Sequence, residues 1–260
     1  MDAVITAGGI PKPEDPLYKY TQGKSKALLE IAGKPMIQWV LDAVCASEKV
    51  GRIVIIGLNE GDIAVPGNKP VDFMPNQGSL FQNVRGSIDK IVELNPAAEY
   101  VLMVSSDIPA ITTEMVDWAI DAALETEHDI YYNVVTRETM ETRFPGSNRS
   151  FIKFKDLDIC GADMNIARIE ATQGNDELWQ RLIDARKNAF KQAALFGFDT
   201  LILMLFRRLK IGDAVERVGK RLGLRGRAVV SPYAEVAMDV DKPHQFDLLR
   251  ADMEKRGKSA

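Results

Sequence analysis

Residues 2–36, DAVITAGGIPKPEDPLYKYTQGKSKALLEIAGKPM, decide how the rest of the chain is read. Ala3-Val4-Ile5-Thr6 is a short apolar run that predicts a buried strand. It breaks at once into Ala7-Gly8-Gly9. Glycine directly after a buried strand lets backbone approach a ligand closely, because no Cβ intervenes. Successive N–H groups in such a turn form an anion-binding concavity. The loop that follows carries Lys12, Lys19, Lys24, Lys26 and Lys34, whose charge suits phosphate. Lys26 is the strongest candidate among them, since Leu28, Leu29 and Ile31 can anchor it. The plainer reading is a tight turn followed by a solvated lysine loop.

Outward from this stretch, apolar strands alternate with amphipathic helices. Met36, Ile37, Val40, Leu41 and Val44 recur at helical spacing, and Arg52–Gly57 (RIVIIG) reads as a second buried strand. Phe81, Val84, Ile88, Ile91 and Val92 mark another helix from Leu80. YVLMVSSDIP (100–109) gives a third strand, and Glu114 to Glu125 a further helix. This alternation predicts an α/β fold: a doubly wound, mostly parallel, Rossmann-like sheet. Ligands bind outside the carboxyl ends of such strands, so Ala7-Gly8-Gly9 and Ser105-Ser106-Asp107 become neighbours at one rim.

The second half is less regular. DIYYNVV, SFIKF and ADMNIARI read as strands around a polar loop from Thr136 to Arg149, and Asp176 to Gln192 as a helix. No internal repeat or low-complexity linker divides the chain. The expectation is a single domain over 1–260, with a helical insertion around 185–226.

Bulk properties narrow the functional classes. Hydrophobic content of 46% and charged content of 27% are those of a soluble globular protein. A net charge of −4 argues against a nucleic-acid binder, which is usually basic. Cys45 and Cys160 form no spaced cluster, which leaves no disulfide framework or zinc site. His128 and His244 supply little for triad or His-metal chemistry. The N-terminus has no signal-peptide pattern, so a cytoplasmic protein is expected.

Carboxylates give the lysine loop a possible partner. Asp107 stands at a strand's carboxyl end, and Pro109 lacks the N–H needed to continue the ladder. Asp239 and Asp241 flank Val240, so on an extended segment both point to one face. Carboxylates that converge beside a phosphate loop are what Mg²⁺ requires, since it takes oxygen ligands and shares them with phosphates. Each aspartate also fits a turn or helix cap, Asp241-Lys242-Pro243 especially.

TAGG…SKALLEIAGKPMIQWVLDA resembles the N-terminal signature of the nucleotidyltransferases with a molybdenum-cofactor-guanylyltransferase-like (MobA-like) fold. VSSDIP is similar to that group's mid-chain metal-binding aspartate segment, and MDVDKPHQF to its C-terminal Asp-x-Asp-x-Pro. The resemblance covers residues 1–125 and 227–250. It implies a GT-A-type nucleotidyltransferase fold, and Mg²⁺-dependent transfer of a nucleoside monophosphate from a triphosphate to a phosphorylated acceptor. Ala7, Gly8, Gly9 and Lys26 would then bind the nucleotide, with Lys26 and Asp107 catalytic. Asp107 with Asp241 or Asp239 would hold Mg²⁺. NQGSLFQNVRGSI is similar to the base-contacting segment of cytidylyl-transferring members, which nominates Gln77, Gly78, Ser79 and Asn83; Ser79 also suits a helix N-cap. The group's loop arginine has no counterpart here, leaving Lys12, Lys19 or Lys24 as substitutes, and Ser25 replaces the common proline before Lys26.

In the implied reaction an acceptor phosphate, already anionic at neutral pH, attacks the α-phosphorus and releases pyrophosphate. Alignment and charge neutralisation suffice, without a base or covalent nucleophile. For the acceptor, Arg137, Arg143 and Arg149 offer guanidinium forks suited to phosphate. CGADMNIARI resembles the strand that contacts the sugar or alcohol in relatives, nominating Gly161 and Asn165. The apolar run Ala193–Phe206 is too short to span a bilayer. It reads first as a buried or homodimer-forming helix and second, beside Arg207, Arg208 and Lys210, as a membrane-surface element. Two other functional readings stand beside the transferase: a glycosyltransferase using Asp239-Val240-Asp241 on a nucleotide-sugar, and a non-catalytic nucleotide-sensing module.

Overall fold

The computed structural model of the chain describes residues 1–67, 69–174, 176–185 and 197–259. The first half runs β1 (Asp2–Thr6), α1 (Tyr18–Thr21), β2 (Glu30–Ile31), β3 (Lys34–Pro35), α2 (Met36–Ala46), β4 (Ile53–Ile56), β5 (Val71–Met74), α3 (Leu80–Leu94), β6 (Tyr100–Ser105) and α4 (Thr113–Leu124). The second runs β7 (Ile130–Thr136), α5 (Arg137–Arg143), β8 (Ile152–Lys153), β9 (Asp158–Gly161), β10 (Met164–Arg168), α6 (Ile169–Thr172), α7 (Asp176–Ala185), α8 (Phe198–Leu205), α9 (Ile211–Leu222), β11 (Gly226–Ser231) and α10 (Pro243–Ser259).

One sheet has the order β5-β4-β1-β6-β10-β7-β9-β8, with β11 pairing β7. β5, β4, β1 and β6 are mutually parallel, and β11 is parallel to β7. β10 runs antiparallel between β6 and β7. This is the expected α/β sheet, mostly parallel and wound on both faces. The runs Ala3–Ile5, Ile53–Ile56 and Val101–Val104 of its parallel strands are apolar because both faces are covered. Ala3, Ile5, Ile53, Ile55, Leu102 and Val104 share one core with α2 and α4. Val4, Val54 and Val101 turn to the other face and meet Ile88 and Ile91 of α3.

β9 and β10 run in the same direction along β7 and behave as one run broken at Ala162-Asp163. There the Ala162 N–H donates to Asn133 O (2.9 Å), the Asp163 N–H to Val236 O (2.8 Å), and Asp163 O accepts from the Ser105 N–H (2.8 Å). The break thereby ties β6, β7 and the 234–237 turn together at the rim where β6 ends.

Several strands depart from the sequence reading. SFIKF shortens to Ile152–Lys153, and β5, β9 and β11 are additional. Their apolar runs are too short to show a period. In β5, Asp72 is a polar member held by Arg52 (2.5 Å). Within the helix expected over 176–192, α7 occupies Asp176–Ala185; residues 186–196, including the start of the apolar run, lie outside the described residues. No helix among the described residues is long and apolar enough to cross a membrane.

Candidate active site

Thr6 and Ser105 are register partners at the ends of β1 and β6, so the two loops that follow start side by side. The Ser106 N–H donates to Thr6 O (3.1 Å), which brings Asp107 beside the glycine turn. Lys26 arrives at the same place by a backbone route. Its N–H donates to Gly9 O (2.8 Å). Ser25 N-caps the short 3-10 turn 26–28: its Oγ accepts from the Ala27 N–H (3.3 Å) and donates to Ala7 O (2.9 Å). Its hydroxyl thus fastens the Lys26 turn to Ala7.

The C-terminal aspartates come to the same mouth through an extended segment. The Val240 N–H donates to Asp107 O (3.0 Å), and the Asp241 N–H to Gln245 Oε1 (3.0 Å) at the start of α10. One carboxylate oxygen from each of Asp107, Asp239 and Asp241 then lies within 4.8 Å of the others. Lys26 Nζ sits among them, 2.5 Å from Asp107 Oδ2 and 2.9 Å from Asp241 Oδ1. Burial alone would push this ammonium's pKa down, but Asp107 and Asp241 together raise it above the usual lysine value. Asp107 is held in turn by the Ser105 hydroxyl (2.5 Å). The two C-terminal aspartates differ sharply. Asp239 is buried and ion-paired to Arg149, whereas the Asp241 side chain is 55% exposed at the mouth.

Beside the glycine turn, the loop after β5 folds against Gly8. Asn76 Nδ2 donates to Gly8 O (3.0 Å), Asn83 Nδ2 to Asn76 Oδ1 (3.2 Å), and the Gln77 N–H to Asn83 Oδ1 (2.7 Å). A Cβ on Gly8 would meet Asn83 Nδ2 at 2.6 Å. Gly57, at φ +102°, brings the end of β4 against the Gly8 backbone so closely that a Cβ there would strike it. Gly78, also at positive φ, donates its N–H to Asn76 Oδ1 (2.9 Å). Ser79 forms a full capping box with Gln82 at the start of α3, so its hydroxyl is committed to the helix. The sequence reading missed Asn76 and Gly57. A glycine directly after the second apolar strand, in IIGLNE, was the available signal.

The arginines expected to meet an acceptor separate. Arg149 joins the cluster through Asp239 and reaches Gly161 O (3.3 Å). Asn165 stays close by, accepting from the Asn133 N–H (2.9 Å) and donating to Ala162 O (2.9 Å), which pins the β9–β10 break. Arg143 lies elsewhere, bidentate to Asp252 (2.8 and 2.7 Å) and bonded to Glu235 (2.8 Å), where it ties α5 to α10. Arg137 is held by Asp158 (3.3 Å) and Glu141 (3.0 Å) over the Phe151 ring. Lys12, Lys19 and Lys24 stay exposed on the opening loop.

A sheet with this winding, bearing a glycine turn beside converging carboxylates, defines a nucleotidyltransferase-type α/β protein. The MobA-like NTP transferase domain matches residues 3–196, and the chain belongs to that family. Among solved structures, a hypothetical transferase from Thermus thermophilus is 29% identical, with a TM-score of 0.81 over 94% of this chain and 98% of its own. CMP:2-keto-3-deoxy-manno-octonic acid synthetase complexed with CTP shares the fold at 15% identity and a TM-score of 0.56, over 98% of each chain. So does 4-diphosphocytidyl-2C-methyl-D-erythritol synthase from Anaerococcus prevotii, at 12% identity and 0.58, over 97% of each chain. A comparison with curated protein sequences finds no match.

Proposed function

We propose that this chain transfers a nucleoside monophosphate from a nucleoside triphosphate to a phosphorylated small-molecule acceptor, releasing pyrophosphate. The observation that carries the reading is the meeting of Lys26, Asp107, Asp239 and Asp241 at the mouth of the Ala7-Gly8-Gly9 turn. The donors are all carboxylate oxygens, the hard set that suits Mg²⁺, and the Lys26 ammonium already serves there as a stand-in cation. Asp107 and Asp241 are the pair to hold Mg²⁺, because Asp239 is engaged by Arg149. The metal would supply charge neutralisation across the reacting phosphate and the leaving group.

The remaining roles belong to the chain's own groups. Backbone N–H groups of Gly8 and Gly9 would receive the terminal phosphates, and Lys26 would balance charge at the α-phosphoryl group. Gln77, Gly78 and Asn83 border the base side of the turn, although Ser79 acts there as a cap. Arg149, with Gly161 and Asn165 beside it, would receive the acceptor. The solved CMP:2-keto-3-deoxy-manno-octonic acid synthetase complexed with CTP and the 4-diphosphocytidyl-2C-methyl-D-erythritol synthase make cytidine triphosphate the first candidate, and the resemblance to the molybdenum-cofactor guanylyltransferases makes guanosine triphosphate the second.

The test is pyrophosphate release with each nucleoside triphosphate and a panel of sugar and polyol phosphates, with and without Mg²⁺. Triphosphate- and acceptor-dependent pyrophosphate is expected. Cleavage of a nucleotide-sugar in its place would establish the glycosyltransferase reading, and tight triphosphate binding without turnover the sensor.

A further inference from the structure

The helices α8 and α9 carry a charge and an apolar pattern that the transfer reaction does not use. Residues 197–222 hold six cations (Arg207, Arg208, Lys210, Arg217, Lys220, Arg221) against Asp199, Asp213 and Glu216, in a chain of net charge −4. α8 is apolar on two faces. Leu203 and Met204 pack on the satellite core of Val134, Phe154, Ile159, Leu209 and Ala214. The other face is solvent-exposed: Phe198 (68%), Ile202 (54%), Leu205 (79%) and Phe206 (67%). Their spacing of four, three and one residues places them on a single helical stripe.

Both ends of this stripe are cationic. At the N-terminal end Arg217 and Arg221 of α9 reach Asp199, at 3.4 and 2.7 Å. At the C-terminal end Arg207, Arg208 and Lys210 follow Phe206 and are exposed. Arg207 is partly engaged by Asp158. Four large apolar side chains on one exposed stripe mark an interaction surface. The flanking charge selects the partner. A second copy meeting the stripe by two-fold symmetry would set cations against cations in either orientation, which is unfavourable. An anionic bilayer fits both features at once, with the stripe entering the acyl boundary and the cations meeting the headgroups.

We propose that α8 and α9 form a peripheral docking surface for anionic lipid membranes. This surface is independent of the transferase reading, because binding requires no turnover. The test is co-sedimentation of the full chain with vesicles of phosphatidylcholine alone and of phosphatidylcholine containing phosphatidylglycerol, at low and high salt. Binding is expected on the phosphatidylglycerol vesicles and is expected to weaken with salt. Replacing Leu205→Glu together with Phe206→Glu should reduce partitioning about tenfold or more, with the circular dichroism unchanged because both positions are exposed. Arg208→Glu with Lys210→Glu should weaken binding to phosphatidylglycerol by about tenfold. The proposal fails if the chain stays in the supernatant with both vesicles. It fails equally if the Leu205→Glu/Phe206→Glu protein binds like the parent. A concentration-dependent dimer that this variant disperses, without lipid binding, would assign the stripe to a second copy and overturn it.

Discussion

The glycine-turn flank and the Arg149 flank of the site sit on the same sheet, but they are held in different ways. Around Gly8 and Gly9 the placement comes from backbone: Lys26 N to Gly9 O, Ser106 N to Thr6 O, and the close approach of Gly57. Around Arg149 it comes from charge, a partly buried guanidinium shared between Asp239 and the carbonyl of Gly161. Backbone placement rests on main-chain groups that every residue carries and so tolerates side-chain change. Charge placement depends on a partner ninety residues along the chain and fails when either member is lost.

The largest effect should come where the two flanks meet. Lys26→Ala and Asp107→Ala are each expected to lower turnover by about a thousandfold while leaving the circular dichroism unchanged. Near-normal activity in either purified variant would refute its role. The contrast between flanks is sharpest in stability. Arg149→Met leaves Asp239 buried without its partner and should cost about 3–5 kcal/mol in urea unfolding. Adding Asp239→Leu should restore part of that loss. A cost below about 1 kcal/mol for the single change would show that charge does not hold this flank.

Two glycines test the same contrast on a smaller scale. A Cβ on Gly57 meets backbone that cannot yield, at positive φ, so Gly57→Ala should cost about 1–3 kcal/mol. A Cβ on Gly161 meets the hydroxyl end of the half-exposed Tyr132, which can rotate away. Gly161→Ala should therefore stay within about 0.5 kcal/mol by thermal melting, and equal losses at the two positions would break the distinction.

The two thiols, Cys45 on α2 and Cys160 on β9, should behave alike. Burial, with a smaller push from Asp42 and a pull from Lys69, takes the Cys45 thiol up to about 11. Burial likewise raises Cys160, against the pull of Arg149. Both thiols are therefore protonated at pH 8 and lose that protection only as pH climbs toward their raised values. Cys45 should react with iodoacetamide roughly a hundredfold more slowly than a free thiol. Mass spectrometry over a pH series reads this directly, and labelling of either thiol at the free rate would contradict it.

Much of the glycine-turn flank was legible in the sequence because its first determinants are local. A strand, a glycine pair and a lysine within one loop announce each other, and the apolar runs of β1, β4 and β6 reveal strands covered on both faces. Asp107 could be placed because Pro109 ends its strand. The Arg149 flank was less legible for the opposite reason. Arg137, Arg143 and Arg149 look alike in sequence, and only tertiary pairing separates them: Arg143 goes to Asp252 and Glu235, Arg149 to Asp239. Asp239 and Asp241 alternate on one segment, yet nothing local says which of them is buried. β9 and β11 escaped notice because four or six residues beside glycine carry too little period to declare a strand.

Two positive side chains threaded among three negative ones leave the centre one unit short of neutrality. A bare acidic trio would repel an incoming polyphosphate from the entrance it is meant to use. By carrying its own counterions the protein keeps that entrance electrically quiet, and a highly charged guest can approach without first overcoming a like-signed barrier.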